Sequence, residues 1–156
     1  MVHYMLVRFT CLDNSEVIVI VMNENEKALT IEQIRATEDE KMLVKIWLEK
    51  MLCADFEGKE TIRTQINYAL KFSQFTFFRH YANVFVGFHI NEAISLLPWK
   101  MGVPISMDAF QQNAAPIFFV LHTKNGFIIE LEVGTADASE IDIFNIDLSD
   151  VVYSVE

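Results

Sequence analysis

Glu130 and Glu132 stand two residues apart in the run Phe127-Ile128-Ile129-Glu130-Leu131-Glu132-Val133. On a β-strand that spacing puts both carboxylates on one face. Paired carboxylates on one face can act as acid and base in the hydrolysis of a glycosidic or phosphodiester bond. His122, just upstream, adds an imidazole to the same part of the chain. One reading is therefore a small hydrolase whose site combines His122 with Glu130 or Glu132 in a sheet-face cleft, with a divalent metal if further ligands join. The more ordinary use of such a pair is the solvated side of an amphipathic sheet, or an interface where a basic partner relieves the repulsion between the two acids.

Other chemistries leave less trace. His3, His80, His89 and His122 include no His-x-His or His-x-x-x-His pair, and Cys11 and Cys53 have no Cys-x-x-Cys partner, so spacing signals no metal site. His89 and His122 could still meet if their strands were neighbours. Five glycines, none in a phosphate-binding loop or a nucleophile elbow, argue against nucleotide-dependent and serine-nucleophile enzymes. No cofactor is expected. Two cysteines are too few for a disulfide framework, and the apolar stretch around each predicts a buried free thiol.

Charge narrows the function further. Lys and Arg number 12 against 22 Asp and Glu, a formal net charge of −10. Eight of those acids fall from Glu130 onward, and no Lys or Arg follows Lys124. Such a field repels nucleic-acid phosphates and anionic lipid and steers a basic protein inward. Glu130, Glu132, Asp137, Glu140 and Asp142 are the expected contact group for that partner, with His122 as a hydrogen-bonding member. The longest apolar runs are far below the roughly 20 residues that a membrane helix needs. The first ten residues lack a basic leader and a cleavage pattern, so a cytoplasmic location is expected.

The elements that must position these residues read as one α+β domain over residues 1–156, mainly antiparallel sheet with two principal helices packed on one face. Residues 3–12 and 16–22 alternate as a hairpin around Asp13-Asn14-Ser15. Thr30-Ile31-Glu32-Gln33 and Thr37-Glu38-Asp39-Glu40 both fit a capping box. The second box predicts a helix over 38–54, with Met42, Leu43, Ile46, Trp47, Met51 and Leu52 inward. Gly58 separates it from a second helix over 60–72, whose buried stripe is Ile62, Ile66, Ala69 and Leu70, with Arg63 and Gln65 outward. Residues 75–78 and 83–90 follow as paired strands. Their aromatics, Phe75, Phe77, Phe78, Tyr81, Phe85 and Phe88, suit packing on the helices better than base stacking, given the negative chain. Trp47 reads as a core residue and Trp99 as a loop anchor.

Pro98, Gly102 and Pro104 predict little regular structure over 91–115 beyond a helical turn near 92–97. Strands over 117–123 and 127–133 flank Lys124-Asn125-Gly126. A two-residue loop there opposes Leu121 to Glu130, so a three-residue loop is preferred, with Leu121 facing Ile129 and Phe119 facing Leu131. Residues 141–148 and 151–155 supply final strands, or one terminal strand with an irregular tail.

The stretch Leu121-His122-Thr123-Lys124-Asn125-Gly126 with Glu130-Leu131-Glu132, and Arg63-x-Gln65-Ile66 upstream, resembles a pattern of uncharacterised bacterial domains in which an Asn-Gly or Asp-Gly hairpin precedes Glu-Leu-Glu. Small acidic bacterial domains of this kind also look like immunity proteins, which neutralise toxins delivered by neighbouring cells. The likeness there is one of composition and fold class. It implies binding rather than catalysis, with a basic, nuclease-like toxin domain as partner.

Overall fold

In the computed structural model the described residues are 5–10, 16–21, 36–71, 75–80, 82–90 and 95–156, with the backbone alone for 5–10, 16–21 and His80. The expected turn at Asp13–Ser15, the capping box at Thr30–Gln33, His3, Cys11, Tyr81 and residues 92–94 lie outside them. The chain divides into two compact units, Met1–Arg35 and Ala36–Glu156.

In the first unit, β1 (Met5–Thr10) pairs antiparallel with β2 (Glu16–Val21), Met5 opposite Val21 and Thr10 opposite Glu16. The β-branched residues of Val17 to Val21 favour this extended pairing.

The second unit begins with α1 (Glu38–Met51), which starts where its capping box requires. The Glu40 N–H donates to Thr37 Oγ1 at 3.2 Å, and the Thr37 N–H donates to Glu40 Oε1 at 2.9 Å. Glu38, Asp39 and Glu40 at the start and Lys50 in the last turn suit the helix dipole. The helix ends three residues before the expected boundary, and its inward face is Val44, Trp47, Leu48 and Met51. Met42 and Ile46 are exposed, which corrects the expected stripe. Positions i, i+3, i+4 and i+7 from Val44 close one face around Trp47, and Met42 and Ile46 lie across the helix from it. Cys53, just past the helix, is a free thiol as expected but exposed rather than buried, since it is the neighbouring turn residues Leu52 and Ala54 that enter the core.

Gly58 adopts φ +79° between the helices. A Cβ there would meet the Trp99 ring at 2.6 Å and Leu97 at 2.8 Å, so this turn requires glycine both for its backbone and for its neighbours. The second helix, α2 (Lys59–Lys71), buries Ile62, Gln65, Ile66 and Ala69. Leu70 is only partly buried, and Gln65, expected outward, is wholly enclosed.

The strands β3 (Phe75–His80), β4 (Asn83–Phe88), β5 (Met101–Ala109), β6 (Ile117–Lys124), β7 (Phe127–Thr135) and β8 (Val151–Val155) form one six-stranded sheet. Its order is β3-β4-β7-β6-β5-β8, every neighbour antiparallel. Two principal helices and a mainly antiparallel sheet bear out the α+β expectation. One face carries Phe75, Phe77, Val86, Leu131, Val133, Phe119, Leu121, Ile105 and Met107 into the core with the helices. Trp47 stacks on Phe77 with ring centroids 6.4 Å apart and meets Phe119 edge-on at 5.5 Å. Phe78 and Phe85, which oppose one another in register, belong to the other face.

Two departures shape the sheet. Residues 101–109, expected to be irregular, form a strand paired on both sides. Pro104 fits because the β5–β6 register shifts between Gly102 and Ile105, and a bulge does not need the missing proline N–H. Residues 95–97 are not helical, and Trp99 anchors its loop as expected, Nε1 donating to Thr123 Oγ1 at 2.8 Å. The β6–β7 turn has two residues, Asn125 at φ +52° and Gly126 at φ +86°, the paired left-handed geometry of a type I′ turn. Lys124 faces Phe127 and Thr123 faces Ile128, after which the register shifts, and Leu121 faces Leu131 and Phe119 faces Val133. The three-residue loop is therefore wrong. A bulge at Ile129 separates apolar from acidic residues, sending Ile128 into the core and leaving Ile129 half-buried. After β7 the chain forms a short 3-10 turn, Ile143–Asn145, so only 151–155 of the two expected final segments is a strand.

Candidate functional site

Period two on β7 places Glu130 and Glu132 on the sheet face opposite the core, and the bulge brings His122 of β6 directly opposite Glu130. Without that register shift His122 would be offset along the ladder. His122 Nε2 lies 3.3 Å from Glu132 Oε2, a diagonal cross-strand contact. One ligand atom from each of His122, Glu130 and Glu132 lies within 4.8 Å of the others. The site is neither open surface nor core, since the His122 and Glu132 side chains are 33% and 28% exposed.

The electrostatics follow from this half-burial. Burial pushes the Glu130 carboxyl above the usual range, His122 pulls it back, and Glu132 pushes it up again. The hydrogen bond to Glu132 raises His122; burial opposes that, and the charges of Glu130 and Glu132 reinforce it. Among the described residues this acid pair has His122, and no Lys or Arg, within ion-pair distance. On its far side Glu130 faces Gly87 of β4. A Cβ on Gly87 would lie 3.0 Å from Thr76 Oγ1 and 3.8 Å from His89 Nε2, so the Thr76 hydroxyl and the His89 ring take up the space that a side chain at this position would fill. His89 nevertheless stays outside the converging group. Gly87 carried no motif in the sequence; only the β4–β7 pairing gives it a role.

The remaining members of the expected contact group lie elsewhere. Asp137, Glu140 and Asp142 belong to the connection after β7 and are exposed. Asp137 closes a tight turn: Ser139 donates to Oδ1 from its hydroxyl at 2.6 Å and its N–H at 3.1 Å, holding this carboxyl below the usual range. Asp142 Oδ2 accepts from Asn145 Nδ2 at 2.7 Å. Buried Ile141 and Ile143 pin the connection to the core, and Arg79 Nη2 donates to the Ile141 carbonyl at 3.1 Å. Around that contact is a surface cleft of about 420 Å³, lined by Arg79 and residues 140–144. The six expected residues thus form two groups, a half-buried triad on the sheet face and an exposed acidic connection. No local pattern in the sequence marks Arg79, because its partner lies 62 residues away along the chain.

Among the described residues no helix is long and apolar enough to cross a membrane. No family model matches the chain, and neither a curated protein nor a solved structure matches it.

Proposed function

We propose that this chain is a cytoplasmic protein-binding module that neutralises a basic partner through its acidic C-terminal surface. The partner in this reading is a nuclease-like toxin domain, which makes the chain an immunity protein of the kind used in contact-dependent growth inhibition between bacteria. The observation that carries the reading is the exposed acidic connection: Asp137, Glu140, Asp142, Asp147 and Asp150 all face solvent, with no Lys or Arg after Lys124. A nuclease needs a basic groove for phosphates, and an acidic ridge anchored by Ile141 and Ile143 fills such a groove without having to fold on contact. The Ser139 hydrogen bonds hold the Asp137 carboxyl low and fix its position, and a placed charge of that kind steers encounter.

The test is co-expression with the product of the neighbouring reading frame, followed by affinity measurement at low and high salt. Neutralising the connection with Asp137→Asn, Glu140→Gln and Asp142→Asn together is expected to weaken binding about 10- to 100-fold and flatten its salt dependence, at roughly 0.5–1 kcal/mol per rim charge. Unchanged affinity and salt slope in the triple variant would remove the connection from the interface.

A small hydrolase working through His122 with Glu130 or Glu132 is the second reading, supported by the 3.3 Å contact between His122 and Glu132. It predicts turnover by the wild type that is lost on His122→Asn, whereas the binding reading predicts no turnover by either.

A further inference from the structure

The triad on the sheet face has a chemistry of its own, independent of the partner reading. Three donor atoms, one imidazole nitrogen and two carboxylate oxygens, converge within 4.8 Å from two paired strands. Two carboxylates so placed need a positive charge, and among the described residues only His122 stands at ion-pair distance. We propose that His122, Glu130 and Glu132 form a binding site for a divalent transition-metal ion of the zinc class.

Geometry and donor type both favour that ion. Ligands at ~2.0–2.1 Å from a tetrahedral zinc ion are separated by about 3.3 Å. His122 Nε2 and Glu132 Oε2 already stand 3.3 Å apart, and a Glu130 carboxylate oxygen lies within 4.8 Å of the donor atoms of both. Magnesium and calcium prefer all-oxygen sets, so an imidazole bound directly to the ion selects against them. Three protein ligands leave a fourth position for water. The strands also hold the donors in place before an ion arrives, since Leu121 opposite Leu131 locks the β6–β7 register beneath the site.

The experiment uses the whole chain, stripped with chelator and titrated with Zn²⁺ by calorimetry and with Co²⁺ by absorption spectroscopy. The expected result is one equivalent of Zn²⁺ bound per chain, a Co²⁺ spectrum of four- or five-coordinate type, and no competition from millimolar Mg²⁺. His122→Asn and Glu132→Gln should each weaken binding by more than the about 10- to 100-fold typical of outer-shell partners. Absence of stoichiometric binding, equal competition by Mg²⁺, or full binding in His122→Asn would each overturn the site. Should a variant fail to fold, the imidazole nitrogen resonances of wild-type His122 decide: Zn²⁺ must shift Nε2 selectively, and an unmoved signal rejects the assignment. None of these outcomes alters the affinity measurement made through Asp137, Glu140 and Asp142.

Discussion

Gln65 offers the sharpest test of how the helices hold the sheet. Its amide is enclosed between α2 and the β6–β7 turn. Nε2 donates to the Ser95 carbonyl at 3.0 Å and the Gly126 carbonyl at 2.8 Å, while Oε1 accepts from the Ile128 N–H at 2.8 Å. Gln65→Leu keeps the volume and removes all three bonds. Exposed Ser95 can turn to water, and Gly126 keeps the Leu97 N–H at 3.0 Å. The Ile128 N–H is left buried without a partner, which costs about 1–3 kcal/mol, and part of the gain from two further bonds is lost. A total near 2–3 kcal/mol corresponds to a fall in Tm of roughly 5–10 °C for a chain of this size. Gln65→Glu should be worse at neutral pH, because a carboxylate would face two carbonyls, and should recover as acid restores one donor. The assay is thermal and urea unfolding, with Arg63→Ala as an exposed control expected within about 0.5 kcal/mol. If Gln65→Leu also stays within about 0.5 kcal/mol of wild type, the amide does not tie α2 to the turn and the argument fails.

Two further outcomes are expected. Leu48→Ala should cost about 2–5 kcal/mol and Ile46→Ala well under 1, because Leu48 is buried and Ile46 is nearly half exposed; equal losses in urea melts would contradict the observed face of α1. Asp137 has its carboxyl held low by Ser139, so its contribution to stability is present above the unfolded value near 3.8 and is lost as pH falls through the lower folded value. The gap between wild type and Asp137→Ala should therefore be constant at neutral pH and close below about pH 3.8; a gap that widens in acid melts would reverse that sign.

Whatever depends on neighbours two, three or four residues away was legible in the chain. Thr37 and Glu40 announced the start of α1, the Asn-Gly pair announced the β6–β7 turn, and period two put Glu130 and Glu132 on one face. Charge counting located the acidic connection because charge needs no structure to be summed. Tertiary packing decided the rest. Helical periodicity allowed α1 more than one inward face, and the fit of Trp47 between Phe77 and Phe119 selected among them. Gln65 looked like a surface residue because propensity says nothing about carbonyls that arrive from Ser95 and Gly126. Pro104 looked like a strand breaker because the bulge that accommodates it exists only when β5 has β6 beside it. The triad itself depends on one extra residue, Ile129, whose bulge turns His122 toward Glu130. A bulge is settled by which side chains the core will accept across a ladder, so no local rule along the chain could supply it.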